Sequence, residues 1–479
     1  MKKEISGTIW SILDNTAAQA ITFVIFLILA RILTPSIYGM LSISVLVTQL
    51  FKTVIFDSIA TSIVRKSSPS IVDYNSALLL SVLLSIPAFL IVFFSAPIIM
   101  HVMKIPGLDD VIRGTSIIIL VSGLSRTHEA WLTHNLMFRP LAIRSVFSIT
   151  IGGVIGIILA YKGYGVASLV TQQVITSLIA AVTLWIATPW KPSFKFSKSS
   201  VKEIANYSKH VSLGAVTNFT NQYSDIFFVS FFLGAAQTGV YSTGKRIVNT
   251  LNTVLSSALM RVSLPAFSRV KNDKPKFKVH YLNATFLTIL ITAPAFLGLC
   301  YLSEDIVRLL LGVKWIESVP VMQIVSLVGF VTSIGYYNHS VMFACDKPDW
   351  QAKLTLLYAI SNVIVFYIFV RYGLVVTAWA FSIRTVALYP VSAWCALTLL
   401  DVTWSEYVKQ LYIPILSSSA MCLVMWFFDH QIAHFTGWLK VSVDIFIGCL
   451  AYIIFTKYCM PKTQKEVLSS VYKSIRNKD

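Results

Sequence analysis

Long apolar runs alternate with short polar connections from one end of the chain to the other. A run of about 20 predominantly apolar residues is the length an α-helix needs to cross a bilayer core. About fourteen such spans can be drawn on the sequence. They cover 7–33, 38–64, 76–100, 114–134, 141–161, 164–188, 208–233, 238–260, 280–302, 318–343, 353–371, 373–399, 408–428 and 438–457. The strict apolar–polar alternation of a membrane β-barrel is absent, so the pattern predicts helices throughout. The longest connections, 189–207 and 261–279, are both lysine-rich, and none leaves room for a separate soluble domain.

The most informative stretch runs from Ser208 to Arg269. It reads as two apolar helices joined by a tight turn at AAQTG, each carrying one polar stripe. On the first, Asn218, Asn221, Gln222 and Asp225 recur at helical spacing; on the second, Tyr241, Lys245, Asn249, Asn252 and Ser256 do so. An ionised side chain at the bilayer centre costs about 2.5–3.5 kcal/mol or more, so such a stripe faces a protein interior or a wet cavity. Asp225 and Lys245 are therefore the first functional candidates. Pairing of helices would explain the same residues without a ligand.

Composition sharpens the class. Of 479 residues, 56% are hydrophobic and 13% charged, with mean hydropathy +0.73. A soluble domain carries about 25% charged residues. The chain is expected to be an all-α polytopic membrane protein. Its net charge of +18 would suit nucleic acid, but the cations sit in alternate connections, which marks orientation instead. One side holds Arg65, Lys66, Arg139, Arg144, the run from Lys191 to Lys209, the run from Arg261 to Lys278 and the tail after Lys457. The other holds only scattered cases such as Lys104, Arg113, Lys162, Arg308 and Lys314. Both termini are expected on the cytoplasmic side, with the first helix retained as an anchor. The loop cations match an anionic lipid surface, and no nucleic-acid partner is expected.

Chemistry-bearing motifs are few. The six cysteines lie far apart, with neither zinc nor redox spacing. The stretch Gly239 to Lys245 imitates the start of a phosphate-binding loop, but Arg246 stands where Ser or Thr is required and no strand precedes it. Asn218 and Asn283 match a glycosylation pattern inside or beside spans. His430 and His434 lack a third metal ligand. No catalytic constellation, metal or cofactor is expected, and the chain is not expected to be an enzyme.

The sequence also repeats. LTPSIYGMLS at 33–42 aligns without gaps to LGAAQTGVYS at 233–242, sharing Leu33/Leu233, Gly39/Gly239 and Ser42/Ser242. PAFL recurs at 87–90 and 294–297, and GYGVASLV at 163–170 answers YGLVVTAWA at 372–380. The copies lie six spans apart, so both enter the membrane in the same direction, as in a parallel repeat. The expected organisation is a six-helix lobe over 1–200, a second over 201–402, two further helices over 403–458 and a basic cytoplasmic tail over 459–479. Pro87 and Pro294 sit in equivalent helices, where an interior proline removes a backbone bond. Bending of the lobes and static packing both remain open there.

Further charges lie within spans. Asp14 falls in span 1, Lys52 and Asp57 in span 2, Arg126 and Glu129 in span 4, and Arg384 in span 12. Arg126 and Glu129 are spaced i, i+3 and able to pair. With Arg144, Arg246 and Arg261 added, the expected cleft between lobes leans positive, which suits an anion such as a pyrophosphate because guanidinium and ammonium groups donate charge-assisted bonds to phosphate oxygens. Neutralisation by internal carboxylates, or snorkelling to the headgroups, is the competing account.

LARILTPSIYGMLSIS, DIFFVSFFLGAAQTGVYSTGKR and LMRVSLPAFSRV, with MFRPLAIRS before span 5 and GYGVASLV after it, resemble the bacterial polysaccharide exporters. These are the O-antigen, colanic-acid and teichuronic-acid type flippases of the multidrug/oligosaccharidyl-lipid/polysaccharide superfamily. The resemblance covers nearly the whole chain. It implies a two-lobe flippase that moves an undecaprenyl-pyrophosphate-linked oligosaccharide across the bacterial cytoplasmic (inner) membrane by alternating access, with membrane lipids and possible glycan polymerase and export machinery as partners. Asp225, Lys245 and Arg246 fall within or beside the matching motif. The expected substrate-binding set is Lys52, Arg126, Asn218, Asn221, Gln222, Lys245, Arg246 and Arg384. The charge-balancing or ion-coupling set is Asp14, Asp57, Glu129 and Asp225. A multidrug/cation antiporter of the same architecture is the rival; it would want an acidic cavity. A glycan polymerase would want a large outward loop, and a scaffold would tolerate loss of its buried charges.

Overall fold

The structure, a computed structural model, describes residues 2–270, 273–432, 437–462 and 464–469, without the side chains of 2–15, 257–266, 268–269 and 430–432. The side chain of Asp14 therefore lies outside the described residues, as do those of His430 and Arg261 and the whole of His434. The described residues form helices and no strand. In chain order these are α1 Lys2–Ile32, α2 Pro35–Phe51, a π-helical turn Lys52–Phe56, α3 Asp57–Val64, α4 Ile71–Met103, α5 Leu108–His134, α6 Phe138–Tyr161, α7 Val166–Ala187 and α8 Lys198–Val270. Then follow α9 Lys274–Tyr301, α10 Ser303–Leu310, α11 Ser318–Ile334, α12 Asn338–Ala344, α13 Pro348–Phe369, α14 Leu374–Leu399, α15 Trp404–Ile432 and α16 Trp438–Cys459.

Eleven described segments are long and apolar enough to cross a membrane, against the fourteen expected. Three differences separate the numbers. Expected spans 7 and 8 are two helices that meet directly at a kink at Gly234, with no connection between them, and together they make α8. Span 4, α5, which carries Asp109, Asp110, Arg113, Arg126 and Glu129, is not among the eleven. Of span 1, only Thr16–Ile32 is described as a shorter apolar helix. The expected tight turn at 235–239 is also corrected. Those residues are helical, and the break is the single residue Gly234, at φ +79° and ψ −176°. Only glycine adopts that backbone without steric cost.

The chain divides into two compact units, residues 1–243 with 359–374 and residues 244–358 with 375–479. In the first, α1 packs on α6, α4 on α5, and α5 and α6 on α7. Lipid tails are as apolar as leucine, so such helices associate through close backbone approach and buried hydroxyls. α6 shows the device. A Cβ on Gly152 would meet Thr176 Oγ1 at 2.0 Å and one on Gly156 would meet Gln172 Cβ at 2.8 Å, both on α7. In the second unit, α9 packs on α11 and α15, and α15 on α16. Phe267, Phe277, Tyr281, Tyr337 and Tyr407 are buried together in one core cluster. Pro87 and Pro294 lie inside α4 and α9.

The connection before α4 is tied by charge. Ser70 caps α4 in a reciprocal box with Asp73, and Lys66 Nζ reaches Asp73 at 2.9 Å and Glu203 at 2.8 Å. Burial alone would lower the affinity of Lys66 for its proton. The bonds to Glu203 and Asp73 outweigh it and raise the pKa of this ammonium above its ordinary value.

Candidate functional site

Two places in the first unit gather the polar residues. The first begins with the π turn at Lys52–Phe56, where the Asp57 amide bonds Lys52 O, an i→i+5 bond. One extra residue in the turn stacks Asp57 above Lys52, whereas an α-helix would set the two on different sides. Such single π turns recur at functional sites. Both residues then share a neighbourhood with α5 and α6.

Arg126 of α5 spans two carboxylates. Its Nη1 donates to Glu129 Oε2 at 2.5 Å, and its Nη2 donates to Asp57 Oδ1. Arg144 of α6 pairs with the same Glu129 Oε2 at 3.0 Å. The rigid guanidinium fork suits this bridging better than an ammonium would. Lys52 lies near enough to interact with the charges of Arg126, Glu129, Asp57 and Arg144. Among the described residues it makes no ion pair within 4 Å. Three cations thus face two carboxylates, and both carboxylates are already taken by arginines.

The sequence places Lys52 and Asp57 in one span and a pairable Arg126 and Glu129 in another; the structure makes them one network. Arg144 completes it. The sequence shows Arg144 only as a cation near a span end, and a partner across helices leaves no mark in local spacing.

The second place is the first stripe of α8. Asp225 is buried; its Oδ2 accepts from Tyr241 OH at 2.8 Å and its Oδ1 from the Ile226 amide at 2.8 Å. The Gly234 break brings these two stripe residues together. Asn362 of α13, only 3% exposed, donates from Nδ2 to Asn221 O and Oδ1, each at 3.3 Å. Asn218 and Gln222 are exposed on the same helix. In the second unit, Lys245 and Arg246 are half-buried on α8. There, too, Arg384 of α14 donates from Nη2 to Tyr358 O at 2.6 Å and lies 5.1 Å from that tyrosine's ring centroid.

Beside the second stripe the two copies of the repeat meet. A Cβ on Gly39 would fall 1.7 Å from Ala235 O, and a Cβ on Gly239 would fall 1.8 Å from Pro35 O. Ser42 Oγ donates to Ser242 Oγ at 3.0 Å. Each contact is the other shifted by 200 positions, the reciprocity of a two-fold interface. The register of the sequence repeat is therefore also the register of a physical contact.

Residues 28–320, more than half of the chain, match the family described as Polysaccharide biosynthesis protein. Teichuronic acid biosynthesis protein TuaB of Bacillus subtilis (strain 168) is 21% identical over 475 residues, covering 98% of each chain. Lipopolysaccharide biosynthesis protein WzxC of Escherichia coli (strain K12) is 24% identical over 357 residues, covering 74% of this chain and 73% of WzxC. Among solved structures, the lipid II flippase MurJ in an inward closed conformation superimposes with TM-score 0.76 at 16% identity, covering 94% of this chain and 98% of MurJ. An inward-facing multidrug resistance MATE family transporter of the MOP superfamily gives 0.61 at 15% identity, covering 81% and 98%. These likenesses give the fold, and the family match gives the kinship: this chain is a multi-pass helical membrane protein that belongs to the Polysaccharide biosynthesis protein family.

Proposed function

We propose that the chain is a flippase that carries an undecaprenyl-pyrophosphate-linked oligosaccharide across the bacterial cytoplasmic membrane by alternating access, for surface polysaccharide synthesis. It is not an enzyme in this reading: the lipid-linked glycan crosses unchanged. The observation that carries the proposal is Lys52. Its half-buried ammonium stands beside a network whose carboxylates are occupied by Arg126 and Arg144, which leaves a surplus positive charge within apolar helices. An anionic headgroup supplies the missing counter-charge. Membership of the family supplies the glycan side of the reading.

In this mechanism Lys52 contacts the pyrophosphate while Arg126, fixed by Asp57 and Glu129, holds the π turn that aims it. Lys245, Arg246 and Arg384 extend the attraction to acidic groups, and Asn218, Asn221 and Gln222 bond sugar hydroxyls. Asp225 orients Tyr241 and balances charge. Both termini lie in the cytoplasm, on the asymmetry of lysine and arginine in the connections. Glycan polymerase and export machinery are the partners such a step would hand on to.

The test is translocation of undecaprenyl-pyrophosphate oligosaccharide in proteoliposomes. A charged hydrogen bond contributes about 1.5–3 kcal/mol. Lys52→Gln is therefore expected to lower transport at limiting substrate roughly 10- to 100-fold at about 1.4 kcal/mol per decade. Unchanged transport by a folded Lys52→Gln protein would remove Lys52 from the site. Movement of organic cations in place of the glycan lipid by wild type would turn the reading to the antiporter.

A further inference from the structure

The second unit holds a different charge cluster, on α16. Lys440 and Asp444 lie one helical turn apart there. Lys440 Nζ reaches two other helices, Asp305 Oδ2 of α10 at 3.1 Å and Asp429 Oδ1 of α15 at 3.1 Å. Asp444 is 1% exposed. Neither of its carboxyl oxygens has a hydrogen-bond partner among the described residues.

Among the described residues, the charged and titratable groups facing Asp444 come from its own helix and from α9, α10 and α15. They are Lys440 on its own helix, Asp305 on α10 and Asp429 on α15, with the Tyr301 phenol of α9 in the same field. The remaining charges of α10, Glu304 and Arg308, satisfy each other at 2.8 Å. Three carboxyl groups therefore share one ammonium, two of them hold it, and the most deeply buried has neither an ion pair nor a donor among the described residues. A buried carboxylate in that position is the costly form, and uptake of a proton relieves it. A proton is the cation that a single buried carboxyl binds without further ligands.

We propose that Asp444 is a proton-binding site and that its occupancy decides which carboxylate Lys440 serves. With the proton on Asp444, Lys440 ties α16 to α10 and α15. When the proton leaves a carboxyl oxygen for water, the new carboxylate lies four residues from Lys440 on one helix face, within pairing reach. Lys440 Nζ then exchanges Asp305 and Asp429 for Asp444, and both ties are released. The next residues of that helix, Ile445 and Gly448, wall an apolar groove of about 530 Å³ with Pro294 of α9, Ile306 of α10 and Met425 of α15. The latch thus holds together three of the helices that wall the groove, α10, α15 and α16. In the flippase reading, on which this last step rests, loading and unloading of Asp444 couples transport to a proton gradient.

The first test is infrared spectroscopy of the purified full-length protein. Wild type is expected to show a protonated-carboxyl carbonyl band at neutral pH that is lost in Asp444→Asn; the same band in both proteins overturns the site. Thermal unfolding in detergent separates this from a structural role. The folded chain retains a proton on Asp444 that the unfolded chain has released above the ordinary carboxylate range, so wild type loses stability as pH rises there and the Asn variant does not. The midpoint of Asp444→Asn should therefore rise above that of wild type as pH increases; a variant less stable at every pH marks Asp444 as an ion-pair strut and overturns the proposal. In proteoliposomes, a pH gradient should change the rate of wild type and leave Asp444→Asn unaffected. An intact gradient response in the variant overturns the coupling. A lost infrared band with no glycan-lipid movement by wild type counts against the flippase reading, and the proton site stands.

Discussion

The network around Arg126 and the cluster around Lys440 use the same side-chain chemistry to opposite ends. Around Arg126, cations outnumber carboxylates, each carboxylate is bonded, and the leftover group is the long, movable ammonium of Lys52. Around Lys440, carboxyls outnumber cations, and the leftover group is the short, buried Asp444. A surplus amine on a flexible stem can reach an anion that enters beside it. A surplus carboxyl fixed in an apolar place gives up its charge by taking a proton. The sign and reach of the unmatched group, more than the number of charges, decides what each cluster is suited to bind.

The sharpest way to break that contrast is Arg126→Ala. It leaves Asp57 without its arginine and Glu129 with Arg144 alone, and removing one side of this half-buried network should cost about 3 kcal/mol, the lower end for a buried pair. The thermal midpoint in detergent should fall by the largest step of any substitution here; a midpoint equal to wild type would mean the network is solvated rather than structural. Arg126→Lys should recover part of the loss. One ammonium cannot reproduce two Nη bonds to two carboxylates, so a deficit of about 1–2 kcal/mol should persist, one charged hydrogen bond's worth.

Lys66→Met calibrates both clusters from outside the spans. It removes the ties to Asp73 and Glu203 and should cost about 1 kcal/mol at neutral pH. Because the pKa of Lys66 is raised in the folded chain, its contribution is complete below the unfolded lysine value of about 10.4 and disappears as pH rises through the folded one. Wild type and variant should converge in alkaline melts, and a constant gap would assign the effect to packing. The smallest effect belongs to Asp444→Asn under acidic conditions. It breaks no bond, and the midpoint should stay within about 0.5 kcal/mol of wild type.

Much of this was legible before the coordinates. The helical class follows from run length and the Arg126–Glu129 pair from i, i+3 spacing, while the break within α8 was expected a few residues too late, at AAQTG rather than at Gly234. The partners across helices were hidden. Nothing in KTVIF at 52–56, with no proline or glycine, announces a π turn, so the stacking of Lys52 and Asp57 and their meeting with Arg126 had no local signature. Asp225 was visible as a buried charge, but its bond to Tyr241 depends on how the helices continue past Gly234. Asp444 escaped notice because a carboxyl six residues into a helix looks like one near the headgroups; only its burial distinguishes it.

The crossing of Gly39 and Gly239 bears on how the two copies of the repeat have drifted apart. Of the ten aligned positions at 33–42 and 233–242 only three are shared, yet two of these, the glycine and the serine, are the ones that meet at the crossing. What each glycine would strike is a main-chain oxygen, which no substitution elsewhere can trim away. A change in one copy is therefore not offset by a change in the other. In a library covering both segments, positions 39 and 239 should accept no side chain, 200 residues apart and for a single shared reason, whereas Gly234 is held by its own backbone.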